Sequence, residues 1–68
     1  MKNNFSDRLK DLRIEKNLSI NELSRKTKIS TASISRWEAC LVEPKPSQLI
    51  ILADFFGVTI DYLTGRED

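Results

Sequence analysis

Two short polar signals in the middle of the chain limit its fold more than any other feature. Ser19-Ile20-Asn21-Glu22 is a capping box, with a hydroxyl at the N-cap and a carboxylate three residues later. Ser30 is a second N-cap candidate. Ser33 stands where its box would close but has neither carboxylate nor carboxamide. A helix opened at Ser19 must end by Thr27, and Thr27-Lys28-Ile29 is the whole connection to the next. Leu23 faces inward from the first helix, and Ile34 and Trp37 from the second. Ser24 is small enough to let the two helices pass closely. Thr31, Ala32, Ser33, Ser35 and Arg36 are left to point elsewhere. The stretch 20–39 therefore predicts two short helices crossing at a tight turn.

The flanking segments supply the rest of a core. Phe5, Leu9 and Leu12 lie on one face of a helix running to about Lys16. Asp7, Arg8, Lys10, Asp11 and Glu15 occupy its other faces. Arg13 borders the stripe and is expected to be partly buried, and Ile14 to be exposed. Asn17 is a plausible stop, since it tolerates the left-handed conformation. The segment Cys40 to Pro46 reads as a loop, with Pro46 suited to the first turn of the next helix. Leu49, Leu52, Ala53 and Phe56 form a strong stripe, widened by Ile50 and Phe55, and Gly57 ends it. A last short turn opens at Val58 or Thr59, points Ile60 and Leu63 at the core, and ends at Gly65. Nothing alternates with period two. The expectation is an all-α, compact five-helix domain over 5–65, with flexible termini at 1–4 and 66–68.

Size and composition narrow the chemistry. A chain of 68 residues makes one small core and no deep cleft. It has no histidine and one cysteine, which removes zinc fingers, disulfide frameworks and histidine catalysis. No paired carboxylates share a face and no glycine-rich loop is visible, so neither an enzyme, a metal nor a cofactor is expected. The longest apolar run, Leu49 to Ala53, is too short to span a membrane, and no signal peptide is visible. A soluble cytoplasmic protein follows, in which the lone Cys40 reads as a small hydrophobe. The net charge of +1 is uninformative until it is divided. Residues 25–45 carry five cations (Arg25, Lys26, Lys28, Arg36, Lys45) against Glu38 and Glu43. Residues 46–68 carry Arg66 against Asp54, Asp61, Glu67 and Asp68. The middle of the chain could face phosphates and the C-terminal third does not.

RLKDLRIEKNLS at 8–19, ELS at 22–24, ISTASISRWE at 29–38 and LIILADFFGVTIDYLTG at 49–65 together resemble the Xre/Cro-like helix-turn-helix family, whose type is the phage lambda repressor DNA-binding domain. The resemblance runs from Phe5 to Gly65. It implies a lambda-repressor-like fold in which helices 2 and 3 form the helix-turn-helix, and helix 3, around 30–39, enters the major groove of double-stranded DNA. It implies base contacts from Thr31, Ala32, Ser35 and Arg36, and phosphate contacts from Ser19, the Ile20 amide, Ser30, Ser33 and Lys28. Arg13 and Glu38 match the family's structural ion pair. The family commonly forms homodimers, for which Leu41, Val42, Ile60 and Tyr62 are candidates, Tyr62 foremost because it lies off the core stripe.

The side-chain chemistry suits those roles. Arginine can bond guanine O6 and N7 together, threonine can meet a base edge or a thymine methyl, and alanine can meet that methyl. A solvated arginine, a capping threonine and a plain helix alanine are the alternative readings. The chain departs from the family pattern in three places. Ile20 stands where the family often has glutamine. Lys28 and Cys40 stand where glycine is usual. Cys40-Leu41-Val42 is apolar where polar or basic residues are expected, which suggests a dimer contact or a locally collapsed loop. The resulting expectation is a sequence-specific transcription regulator of bacterial or phage origin, a repressor binding a palindromic operator as a homodimer. The alternatives are an antitoxin-type module that binds a toxin partner, with secondary DNA binding, or a controller protein of a restriction–modification operon.

Overall fold

The computed structural model describes residues 4–66; the outer parts of the expected flexible termini, 1–3 and 67–68, lie outside the described residues. Among the described residues the chain forms five helices and no strand: α1 (Phe5–Glu15), α2 (Ile20–Thr27), α3 (Thr31–Glu38), α4 (Pro46–Phe56) and α5 (Ile60–Leu63). Each is followed by a residue in the left-handed region: Asn17, Lys28, Cys40, Gly57 and Gly65. Four of these ends carry the paired bonds of a Schellman motif. At α3, Cys40 N–H donates to the Trp37 carbonyl at 3.1 Å and Leu41 N–H to the Arg36 carbonyl at 2.9 Å. At α2 a single bond runs from Lys28 N–H to the Ser24 carbonyl at 2.8 Å. These stops keep the connections short and make the helices fold back on one another.

The starts are equally local. Asn4 caps α1 by accepting from Asp7 N–H, so it belongs to the helix rather than to a frayed start. Ser19, Ser30 and Thr59 cap α2, α3 and α5 through their hydroxyls. Lys45 has no acceptor to offer α4. There the Gln48 side chain accepts from Lys45 N–H at 2.8 Å, and Pro46 fills the first helical position.

The core joins Leu9 and Leu12 of α1, Leu23 of α2, Ile29 of the turn, Ile34 and Trp37 of α3, Leu52, Ala53 and Phe56 of α4, and Leu63 of α5. Each large aliphatic side chain fully buried there contributes about 1.5–3 kcal/mol. Ile14 is exposed and Arg13 half-buried, as expected. Four expectations are corrected. Arg8 is only 9 % exposed. Its stem lies along the core, and its guanidinium sits 4.2 Å from the centre of the Tyr62 ring, because α5 covers that side of α1. Tyr62 is accordingly half-buried against the core rather than off it. Ile60 is exposed, since α5 is a single turn whose last residue, Leu63, takes the buried place. Ile50 does not widen the α4 stripe but faces outward, about 100° around the helix from Leu49.

Candidate nucleic-acid interface

The turn between α2 and α3 is built by Thr27 and Lys28. Thr27 is buried; its hydroxyl donates to the Leu23 carbonyl at 2.8 Å and accepts from Ile29 N–H at 3.4 Å. Lys28 takes φ 64, so the left-handed turn for which the family uses glycine forms here on lysine. Its side chain is exposed, as are Arg25 and Lys26. The turn delivers Ile29 to the core and places Ser30 at the start of α3.

At that start the polar groups satisfy one another. Ser30 Oγ accepts from Ser33 N–H at 3.1 Å and donates to Ser33 Oγ at 3.0 Å. The missing carboxylate of the box is thus replaced by a hydroxyl pair. The Ser30 hydroxyl is committed to capping, whereas Ser33 Oγ keeps a hydrogen to donate. The amides of Thr31 and Ala32, at the first two helical positions, have no intrahelical acceptor and lie at the positive end of the helix dipole. Ile34 and Trp37 bury one side of α3. Thr31, Ala32, Ser35 and Arg36 are exposed on the other, at i, i+1, i+4 and i+5. All four expected base-reading residues therefore share one uncovered face.

The other end of α3 is held from behind. Arg13 Nε donates to Glu38 Oε2 at 2.7 Å and Nη2 to Oε1 at 3.0 Å, a forked pair with side chains 13 % and 8 % exposed. Arg13 Nη1 also donates to the Leu18 carbonyl at 2.7 Å, which ties the α1–α2 connection to the same group. The Glu38 hydrogen bonds push the Arg13 pKa still higher, against the opposing effect of burial. Ser6 Oγ donates to the Trp37 carbonyl, and the Phe5 ring meets Trp37 edge-on at 5.9 Å.

At the start of α2 both halves of the capping box are made. Ser19 N–H donates to Glu22 Oε1 at 2.8 Å, and Glu22 N–H donates to Ser19 Oγ at 3.1 Å. These bonds, led by the backbone one, lower the Glu22 pKa. The Ser19 amide is therefore occupied, and the Ile20 amide is the group left open to an anion. The Ile20 side chain packs against the core, which gives a structural reason for isoleucine at that position.

The apolar loop is not collapsed. Leu41 is 72 % exposed, Val42 is exposed, and Cys40 is an exposed free thiol rather than a packed hydrophobe. Leu41, Val42 and Ile60 are the exposed part of the expected dimer set, and Tyr62 is partly buried. Two residues of the site were not anticipated, Ser6 and Thr27. Both carried a signal: Ser6 lies three residues before Leu9 and Thr27 four after Leu23, so each shares its helix's buried face.

The helix-turn-helix family model matches residues 9–63. The chain is 36 % identical over 64 residues to the HTH-type transcriptional activator BcrR of Enterococcus faecalis, covering 94 % of this chain and 31 % of that protein. It is 33 % identical over 64 residues to the HTH-type transcriptional regulator YobD of Bacillus subtilis, covering 94 % of this chain and 57 % of that one. A Haemophilus influenzae HTH-type transcriptional regulator is 34 % identical over 93 % of this chain and 26 % of its own length. The chain thus spans between about a quarter and somewhat over half of these relatives. With the capped α2, the left-handed turn at Lys28 and the outward face of α3, the match over most of the chain places it in the Xre/Cro-like helix-turn-helix family of transcription regulators.

Proposed function

We propose that the chain is a sequence-specific double-stranded DNA-binding regulator that acts as a homodimer on a palindromic operator. The carrying observation is the single exposed face of α3 bearing Thr31, Ala32, Ser35 and Arg36. A major groove about 12 Å wide admits such a helix. Arg36 reads guanine, Thr31 and Ala32 meet thymine methyls, and Ser35 bonds a neighbouring base edge. The Ile20 amide, Ser19, Ser33, Lys28 and the amides after Ser30 take phosphates and set the register. The Ser30 hydroxyl contributes only as a cap. One short helix reads few base pairs, so two copies placed about 34 Å apart supply the specificity. Leu41, Val42 and Ile60 are the residues we assign to that contact. Repression by occupancy in the cytoplasm is the simplest outcome. One relative, matched over 31 % of its own length, is named an activator, so activation is the alternative sign.

The test is selection of duplexes from a random library. A site with two related half-sites is expected, and Arg36→Ala should lose roughly tenfold or more on the selected duplex while folding normally. No enriched site, together with unchanged binding in Arg36→Ala, would overturn the proposal. The exposure of Leu41 and Val42 supports a second reading, an antitoxin-type module with a toxin partner. Recovery of a stoichiometric protein partner in place of an enriched DNA site would favour it.

A further inference from the structure

Arg36 is the strongest base-reading group on α3, yet its own side chain is exposed. Its aim must come from the backbone that carries it. That backbone is fixed one residue later. The Trp37 carbonyl accepts from the Ser6 hydroxyl, across 31 residues of sequence, and from Cys40 N–H at 3.1 Å. The Arg36 carbonyl accepts from Leu41 N–H at 2.9 Å. Ser6 is 9 % exposed and Trp37 2 %, so the Ser6 bond is shielded from water. A glycine or an alanine at position 6 would remove the bond. Arg13–Glu38 holds the same end of α3 from another point on α1.

We infer that Ser6 is a positioning residue for DNA readout: its hydroxyl, bonded to the Trp37 carbonyl, sets the orientation of the α3 backbone from which Arg36 reaches a base. This rests on the proposed reading of Arg36. A hydrogen bond from the first turn of α1 to the last turn of α3 is directional, and so it restrains rotation of the helix more than non-directional apolar contacts do. Recognition sites need such support, because small errors of angle at the backbone grow along a long side chain. Of the proposed phosphate contacts, those from Ser19, the Ile20 amide and Lys28 lie off α3, and those from Ser33 and the amides after Ser30 lie at the opposite end of α3 from this bond, where a change of angle moves short groups less than it moves the long Arg36 side chain.

The experiment is a double-mutant cycle in DNA binding. The proteins are wild type, Ser6→Ala, Arg36→Ala and the double variant. The probes are a duplex selected with the wild-type protein and a scrambled duplex of the same composition. Thermal unfolding of each variant shows that it is folded at the binding temperature. Ser6→Ala is expected to weaken binding to the selected duplex by about three- to tenfold, the range of one net hydrogen bond. It should weaken binding to the scrambled duplex by less than twofold. In the Arg36→Ala background the same substitution should change neither by as much as twofold. An equal loss on both duplexes, or the same loss with and without Arg36, would show a purely structural serine and overturn the inference. If Arg36→Ala alone binds the selected duplex like wild type, the reading of Arg36 fails first, and Ser6 has nothing to position. Ser6→Gly serves as a second variant and is expected to behave as Ser6→Ala does.

Discussion

The two ends of α3 are built in opposite ways. Its N-terminal end is closed by a serine pair that bonds only to itself, and the residues that follow are open to solvent. Its C-terminal end is gripped by α1 through Arg13–Glu38, through Ser6 and through Trp37. The groove-reading role proposed for α3 would use this asymmetry. On the proposed reading, the face that meets DNA must keep its donors and methyls uncommitted, because a donor already bonded within the protein is less able to bond a base. The orientation must then come from contacts made off that face, and these gather in the last turn. Hydrogen bonds between side chains and distant backbone do that with less freedom than apolar packing alone.

The largest expected effect breaks the gripped end. Arg13→Ala leaves Glu38 nearly buried beside no counter-charge, and also releases the Leu18 carbonyl. A loss of about 3–5 kcal/mol is expected in denaturant unfolding followed by Trp37 fluorescence. That is a large share of what a small domain has. Ser35→Ala, on the open face, should change stability by less than about 0.5 kcal/mol. If the two cost the same, the contrast between the ends is wrong. An apolar replacement of both partners, Arg13→Met with Glu38→Leu, should recover most of the loss, since it removes the stranded charge along with the pair.

Much of this arrangement is legible in the sequence. The caps at Ser19 and Ser30, the stop at Asn17 and the stripes Leu9/Leu12, Ile34/Trp37 and Leu52/Phe56 are local signals, and the helices they imply are the helices that form. The outward face of α3 follows by subtraction from Ile34 and Trp37. What was not legible depends on where helices dock. Arg8 reads as a surface cation until α5 lies over it, and Tyr62 reads as exposed until Arg8 covers its ring. Ile50 and Ile60 read as core by composition and are exposed because no element reaches them. Ser6 and Thr27 share faces with core residues, but a hydroxyl there has two fates. Thr27 bonds back within its own helix, to the Leu23 carbonyl, whereas Ser6 finds its acceptor only in the distant Trp37 carbonyl.

The turns on either side of α3 sharpen the comparison at smaller cost. Lys28 and Cys40 both hold the left-handed conformation, with φ 64 and φ 62. A side chain there costs about 1–2 kcal/mol relative to glycine, offset in part by the extra freedom glycine has when unfolded. Lys28→Gly and Cys40→Gly should each stabilise by about 0.5–1 kcal/mol, which raises the melting temperature of a domain this size by a few degrees. Cys40→Gly acts next to the gripped end and should add fully to Lys28→Gly, because the two turns share no partner. A destabilised Cys40→Gly would mean that the thiol makes a contact worth more than the backbone strain.

The smallest effect concerns charge at the two helix starts. The Glu22 carboxylate closes the α2 box and its pKa is lowered there, chiefly by the Ser19 backbone N–H. A carboxylate with a depressed pKa stabilises the fold above its unfolded pKa, about 4.3 for glutamate. That contribution fades as the pH falls through the lower folded value. Position 33, the equivalent place in α3, is serine, so no carboxylate closes the box at the start of α3. Glu22→Gln keeps an acceptor for Ser19 N–H and loses the charge. It should melt slightly below wild type at pH 7, and the gap should shrink or vanish at pH 3. The side chain is at the surface, so added salt should also narrow the difference at pH 7. A gap that is the same at both pH values would mean that the Glu22 charge adds nothing beyond the hydrogen bond. The carboxylate in α2 and the hydroxyl pair in α3 would then be equivalent caps, and the neutral start of α3 would have to be explained by the anionic groove we propose it faces rather than by how it folds.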